Sequence, residues 1–318
     1  MPAFSATSPG KIILFGEHAV VYGEPAIAVP VFSTQAKAIV SARIQGKPGE
    51  IWIEAPDISL SAPMDQLDIN HHLRAAIEIV IDDKDLDQVP SCKIQITSEM
   101  PPSSGLGSSA AISISLIRAF SAFLGKRLND EKVSDLAYEL EKIHHGTPSG
   151  IDNTVISHQK PVYYRKGKPF DFLEIGEEFS VLIVYSGIPG NTREAVEGVR
   201  GRWQNEPDRY NRIFSRIGEI TQAAKGIIET GNPDQLGPMM NENHELLQEI
   251  GVSSPELDHL VSAASEAGAL GAKLSGGGLG GHIIALVESD ADHISGELIK
   301  KGAVSTLITP VKKRDFNQ

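Results

Sequence analysis

A single cysteine, Cys92, stands among 318 residues, which excludes an internal disulfide and a cysteine-based metal cluster; a small buried residue beside a strand is the expected role. Long apolar runs are missing as well. No stretch approaches the ~18 uninterrupted apolar residues of a membrane helix, and the N-terminus lacks a basic segment followed by an apolar core, so the expected location is the cytoplasm. Positive charge is scarce: 29 Lys and Arg against 41 Asp and Glu give a formal net charge of −12. Nucleic-acid binding needs a concentrated basic face, and this composition argues against it. An acidic chain that binds a polyphosphate must draw its attraction from backbone N–H groups, a few placed Lys or Arg side chains and a divalent metal.

What the chain does have is a soluble, globular composition, 41% apolar and 22% charged, at a length that suggests about two domains. Its most informative segment, residues 101–111, reads Pro-Pro-Ser-Ser-Gly-Leu-Gly-Ser-Ser-Ala-Ala. The first turn of a helix leaves N–H groups unpaired, and glycines let a phosphate approach them. Ala110, Ile114, Leu116, Ile117, Phe120 and Phe123 make the following helix apolar on nearly all sides, and Gly125 offers a left-handed stop. The alternative is an ordinary strand-to-helix connection in which Ser103 or Ser104 merely caps the helix.

Alternation and turn signals predict strands over 11–15, 26–30, 36–44, 50–54 and 93–97, helices over 71–81, 110–124 and 129–144, and strands over 154–158 and 161–165. His71 and His72 open a helix and receive no chemistry. Beyond residues 167–169 the pattern becomes strand 180–186, several helices within 192–267, strand 283–288, helix 292–300 and strand 305–309. That alternation fits a ferredoxin-like α/β sandwich, with the domains divided as 1–170 and 171–318.

Three more clusters accompany the loop. Lys11 opens an apolar strand, and Glu17 and His18 follow its end; surface positions are the simpler reading of each alone. In residues 145–153, Gly146, Pro148 and Gly150 fix a turn that presents Asp152, with Glu141 on the preceding helix. Two carboxylates so placed can divide the labour, one ligating Mg²⁺ and one accepting a proton from a substrate hydroxyl. The alternative is that Asp152 caps the next element and Glu141 is solvated. Residues 276–281 hold five glycines in six positions, an entropic cost that a plain connection does not need. A second backbone approach to phosphate is the better reading.

In this order and spacing the four clusters resemble the GHMP kinase superfamily. The likeness runs from Pro9 to about Pro310, and residues 10–23, 145–153, 187–193 and 243–253 are similar to its mevalonate kinase branch. The resemblance implies an α+β, two-domain GHMP kinase fold, with an N-terminal domain like ribosomal protein S5 domain 2, a ferredoxin-like C-terminal domain, and an active site in the cleft between them. It implies ATP and Mg²⁺ as cofactors and mevalonate as the small-molecule acceptor. The implied roles are Asp152 as catalytic carboxylate, Lys11 as its partner at the acceptor hydroxyl, and Glu17, His18 and Thr192 on the substrate side. Pro102, Ser103, Ser104, Gly105, Leu106, Gly107, Ser108, Ser109 and Ala110 would bind the ATP phosphates, together with Gly276 and Gly277. Glu141 and one of Ser108 and Ser109 would ligate the metal.

Two segments depart from the branch. Ser103-Ser104 stands where Gly-Ala is commoner, and Leu279 interrupts the glycine run, either narrowing the phosphate cleft or packing beneath it. Similar enzymes dimerise, and a homodimer is compatible with this sequence although no interface signature is visible. Other readings are a kinase for phosphomevalonate or an isoprenoid alcohol, and a non-catalytic sensor of the same fold. The sensor predicts loss of Lys11, Glu141 or Asp152, and all three are present.

Overall fold

A computed structural model describes residues 3–84, 88–101, 105–145, 148–288 and 290–313. The chain forms two compact units: Met1–Gly10, Thr34–Pro102 and Gly107–Gln159 in the first, Lys11–Ser33, Ser103–Leu106 and Lys160–Gln318 in the second. Two long strands, β1 (Ala3–Phe15) and β2 (Pro25–Ala42), contribute to both.

In the first unit the second half of β2 runs antiparallel to a strand over Cys92–Ser98, from Ala36 opposite Ser98 to Ala42 opposite Cys92. Strands β3 (Ile51–Ala55) and β4 (Leu60–Pro63) are antiparallel to each other. After helix α1 (His72–Lys84), β5 (Cys92–Ser98) returns parallel to β3. Helix α2 (Ser108–Phe123) packs against α1, β5, α3 (Asp130–His145) and α4 (Ile151–His158). Its all-round apolarity is explained by that setting: Ala111, Ile114, Leu116, Ile117 and Phe120 are fully buried. Gly125 follows in the left-handed region, φ 87°, as the stop. Cys92 is buried, and burial pushes its thiol up to about 12, so it packs and does not react.

Residues 154–158, expected as a strand, are the C-terminal part of α4. Thr154, Val155 and Ile156 favour strands by β-branching, yet the helix buries all three, and Thr154 Oγ1 donates to the Gly150 carbonyl at 2.7 Å. Tertiary burial outweighs propensity here. Asn153 ties α4 to α3, donating to Ser134 Oγ at 2.9 Å and to its carbonyl at 3.1 Å.

In the second unit the first half of β2 pairs with β6 (Val162–Arg165), which pairs with β7 (Asp171–Phe172). A four-stranded antiparallel sheet follows from β8 (Phe179–Tyr185), β9 (Gly271–Ser275), β10 (His282–Val287) and β11 (Ser305–Val311), in the order β11-β8-β10-β9. This is the ferredoxin-like order. Helices α5 (Thr192–Asn205), α6 (Pro207–Thr230), α7 (Leu236–Glu249), α8 (Pro255–Glu266) and α9 (Ala291–Lys300) complete it. Their apolar faces and the sheet share a core that includes Val184, Val199, Phe214, Leu247, Leu257, Leu274 and Ala285. Among the described residues no helix is long and apolar enough to cross a membrane.

Candidate functional site

Of the expected phosphate-loop residues, Pro102, Ser103 and Ser104 lie outside the described residues, and the remainder divide between the units. In the first unit, α2 starts from Gly107, which is left-handed at φ 76° and supplies no side-chain cap. The N–H groups of Ser108, Ser109 and Ala110 therefore head a sixteen-residue helix without a side-chain acceptor on the cap position. Ser108 Oγ lies 3.4 Å from Ser98 Oγ, at the end of β5. Ser109 is exposed, and its hydroxyl lies 3.2 Å from His72 Nε2. Glu141 is half-buried on α3, and Asp152 is half-buried in the first turn of α4, whose cap Gly150 is left-handed at φ 82°.

The second unit assembles the other expected residues. Lys11 is buried in β1, well inside a strand that begins at Ala3, and its N–H donates to the Leu106 carbonyl at 2.8 Å. Beside it in sequence, Gly105 is left-handed at φ 82°. Glu17 and Lys273 form a fully buried ion pair, with relative exposures of 1% and 0%. Lys273 Nζ donates a further bond to the Leu274 carbonyl at 2.7 Å. Burial pushes the Glu17 carboxyl up and the Lys273 ammonium down, and each charge holds the other's shift back.

His18 adopts φ 60°, ψ −48°, a conformation rare for a residue with a side chain. Burial lowers its imidazole to about 4, so it is neutral near pH 7. Its Nε2–H then donates to the Gly277 carbonyl at 2.8 Å, which assigns the tautomer. The glycine-rich loop is thus pinned from residues 17 and 18, and Ser275 Oγ adds a bond to the Ile13 carbonyl at 2.8 Å.

The loop's glycines have separate reasons. Gly276, Gly278, Gly280 and Gly281 all have positive φ. Gly277 does not, but a Cβ there would lie 2.4 Å from Thr192 Oγ1 and 2.7 Å from Thr192 Cα, so Thr192, the first residue of α5, abuts the loop. Leu279 is left-handed at φ 55°, donates its N–H to the Val252 carbonyl at 2.8 Å, and packs against the unit's core. It packs beneath the loop.

Strand β9, not expected from sequence, leads into this loop and is an edge of its sheet. Helix α7 satisfies its outer N–H groups: Asn241 Oδ1 accepts from Ala272 at 2.9 Å and His244 Nδ1 from Leu274 at 3.3 Å. The Asp258 carboxylate lies 3.2 Å from His244 Nε2, outside hydrogen-bond alignment. Burial lowers the His244 imidazole and keeps Nδ1 available as an acceptor. Sequence reasoning assigned nothing to Lys273, His244 or His72. Only the buried separation of 256 residues between Lys273 and Glu17 makes the lysine notable, and no local pattern encodes it.

Both parts of this arrangement match known proteins. The model of the GHMP kinases N terminal domain matches residues 70–159, and that of the GHMP kinases C terminal matches 223–304. The two halves of the chain are thus GHMP kinase domains, and the class is that of a GHMP kinase. The mevalonate kinase of Pyrococcus horikoshii is 37% identical over 303 residues, covering 88% of each chain. The crystal structure of Methanococcus jannaschii mevalonate kinase superposes with a TM-score of 0.86 at 29% identity, covering 99% of both chains. That of L. major mevalonate kinase in complex with R-mevalonate gives 0.83 at 31%, covering 97% of this chain and 96% of that one. The chain belongs to the mevalonate kinase family.

Proposed function

We propose that the chain transfers the γ-phosphoryl group of ATP to the 5-hydroxyl of mevalonate, giving 5-phosphomevalonate, by direct in-line displacement without a covalent enzyme intermediate. The observation that carries the nucleotide half is the start of α2, where Gly107 presents first-turn N–H groups with no side chain on the cap position to compete for them. The acceptor half rests on family membership and on the retention of Lys11, Glu17, His18, Asp152 and Thr192.

In this proposal residues 1–170 carry the phosphate loop with Lys11 and Asp152, and residues 171–318 add the glycine-rich loop. The amides of Gly105, Leu106, Gly107, Ser108, Ser109 and Ala110, with those of Gly276 and Gly277, bind phosphate oxygens. Asp152 takes or steers the proton leaving the acceptor hydroxyl, and the Lys11 ammonium stabilises the negative charge that grows on that oxygen. Glu17, His18 and Thr192 shape the acceptor's side.

Residues for a divalent cation fit the same scheme. Among the described residues no group of three His, Cys, Asp or Glu could hold a metal by itself. Mg²⁺ in kinases is held by one or two hard oxygen donors plus substrate phosphates, and Glu141 with Ser108 or Ser109 supplies that donor type. Bound with the nucleotide, Mg²⁺ would neutralise charge on the β and γ oxygens. The small-molecule reaction is compatible with a cytoplasmic enzyme and with a homodimer.

Asp152→Asn tests the assignment. It is expected to lower kcat by about 10²-fold or more with a modest change in the mevalonate KM. Near-normal turnover would refute it. ADP release measured against mevalonate, phosphomevalonate, homoserine and galactose tests the acceptor, and mevalonate is expected to give the highest kcat/KM.

A further inference from the structure

We infer that His72 is a positioning residue for the nucleotide: it fixes the Ser109 side chain at the start of α2 with its hydroxyl hydrogen turned outward, toward a phosphate oxygen. The inference rests on the reading of α2 as the phosphate cradle.

His72 is the first residue of α1, and His71 caps that helix by accepting the Leu73 N–H at 3.3 Å on Nδ1. The Nε2 of His72 lies 2.6 Å from Ser113 Oγ, 3.2 Å from Ser109 Oγ and 3.3 Å from the Ser109 carbonyl. Ser109 and Ser113 are one helical turn apart and share a face of α2, so one ring nitrogen spans both. Ser113 is buried, and its hydroxyl donates to the Ser109 carbonyl at 3.1 Å.

A serine hydroxyl has one hydrogen. With that of Ser113 committed to the carbonyl, the close Nε2 contact is satisfied when Nε2–H donates to Ser113 Oγ. Ser109 Oγ, on the edge of the same N–H, then accepts in part and keeps its own hydrogen. With the ring N–H already directed at Ser109 Oγ, the hydroxyl hydrogen of this exposed serine is left for a partner other than the ring. The opposite tautomer would offer a lone pair to Ser109, draw its hydrogen inward and remove a donor from the cradle. Ser109 is exposed while Ser113 is not; the ring thus couples a buried anchor to the one hydroxyl of the pair that a ligand reaches.

A double-mutant cycle on the full chain separates this inference from the reading beneath it, with MgADP affinity by calorimetry as the readout. Ser109→Ala is expected to weaken MgADP about 10-fold, the loss of one hydrogen bond to a charged group. His72→Ala is expected to weaken it by a similar factor, with the mevalonate KM unchanged. In the Ser109→Ala background, His72→Ala should have no further effect, because it acts through that hydroxyl. His72→Gln, whose amide N–H reaches as far as Nε2–H, should recover affinity to within about 3-fold of the native chain.

Should His72→Ala disturb folding, Ser113→Ala removes the anchor while keeping the ring, and it should weaken MgADP and again lose its effect without Ser109. If the native chain binds no MgADP, the cradle reading fails; if it binds and Ser109→Ala leaves the affinity unchanged, no phosphate uses that hydroxyl, and the inference is overturned while the amide cradle stands. If Ser109→Ala weakens binding but His72→Ala does not, or if the His72 and Ser109 losses simply multiply, the positioning role of His72 is overturned and the cradle stands.

Discussion

The Glu17–Lys273 pair makes a prediction whose size follows from burial. With exposures of 1% and 0%, neither charge can be solvated once the other is removed, and the orphaned group must take its neutral form or loosen the fold. In Glu17→Gln, Lys273 must give up a proton. From an ordinary lysine pKa to pH 7 that costs at most about 4–5 kcal/mol. In Lys273→Met, Glu17 must instead gain a proton, at most about 3–4 kcal/mol by the same reckoning. Both bounds fall within the range of about 3–5 kcal/mol typical of a broken buried pair.

The two penalties have opposite pH dependence. Burial alone raises the Glu17 carboxyl, so in Lys273→Met the folded state binds a proton that the unfolded chain releases above about pH 4. Stability is then lost as pH rises, by up to about 1.4 kcal/mol per unit. Burial alone lowers the Lys273 ammonium, so the Glu17→Gln penalty shrinks as pH rises toward about 10. The double variant carries neither charge and should be more stable than either single one, with no pH slope of its own.

Urea unfolding followed by tryptophan fluorescence measures all three. Trp52 lies in the first unit and Trp203 in the second, so a Trp52→Phe background reports the unit that holds the pair. Single variants that each cost less than about 1 kcal/mol, or penalties that move with pH in the same direction, would refute the account of a desolvated, mutually dependent pair.

Two further outcomes concern the neighbouring contacts. Since the His18 imidazole is lowered to about 4 from 6.5, the unfolded chain binds more protons between those values; stability is full above pH 6.5 and falls toward pH 4, by about 2 kcal/mol between pH 7 and 5. His18→Asn should flatten that part of the pH–stability profile, and an unchanged profile would remove His18 as its source. Gly277→Ala places a methyl 2.4 Å from Thr192 Oγ1 and 2.7 Å from its Cα; displacement of the loop should lower kcat/KM by about 10-fold or more. Thr192→Ser should not restore it, because the closer constraint after the hydroxyl turns aside is backbone, and recovery in the double variant would show that the side chain alone was at fault.

What the sequence made legible follows from how local each signal is. Helix α2 and its stop at Gly125 were readable because an all-round apolar run ending in glycine has few other solutions. The ferredoxin-like order β11-β8-β10-β9 was anticipated in class from alternating elements. Strand β9 was not, since Gly271-Ala272-Lys273-Leu274-Ser275 mixes a glycine, a lysine and a serine with little apolar content. Its stability as an edge comes from Asn241 and His244, side chains of another element. The same non-locality hid the strand-to-helix reversal at 154–158, where packing against α2 and α3 overrode three β-branched residues.

The candidate site divides along that line too. Residues whose task is set by backbone conformation, Gly105, Gly107, Gly150 and Gly276, announce themselves in sequence because only glycine enters the left-handed region without strain. Those whose task is to hold another residue do not. Lys273 receives no role from sequence until Glu17 is seen to meet it in the interior, and His72 reads as a helix opener until its ring is found beside Ser109 and Ser113. A phosphate cradle made mainly of backbone donors needs such supports, because nothing in the cradle itself fixes the direction of a hydroxyl or the height of a glycine loop. The supports are therefore where variation between related kinases should alter nucleotide affinity while leaving the glycine pattern intact.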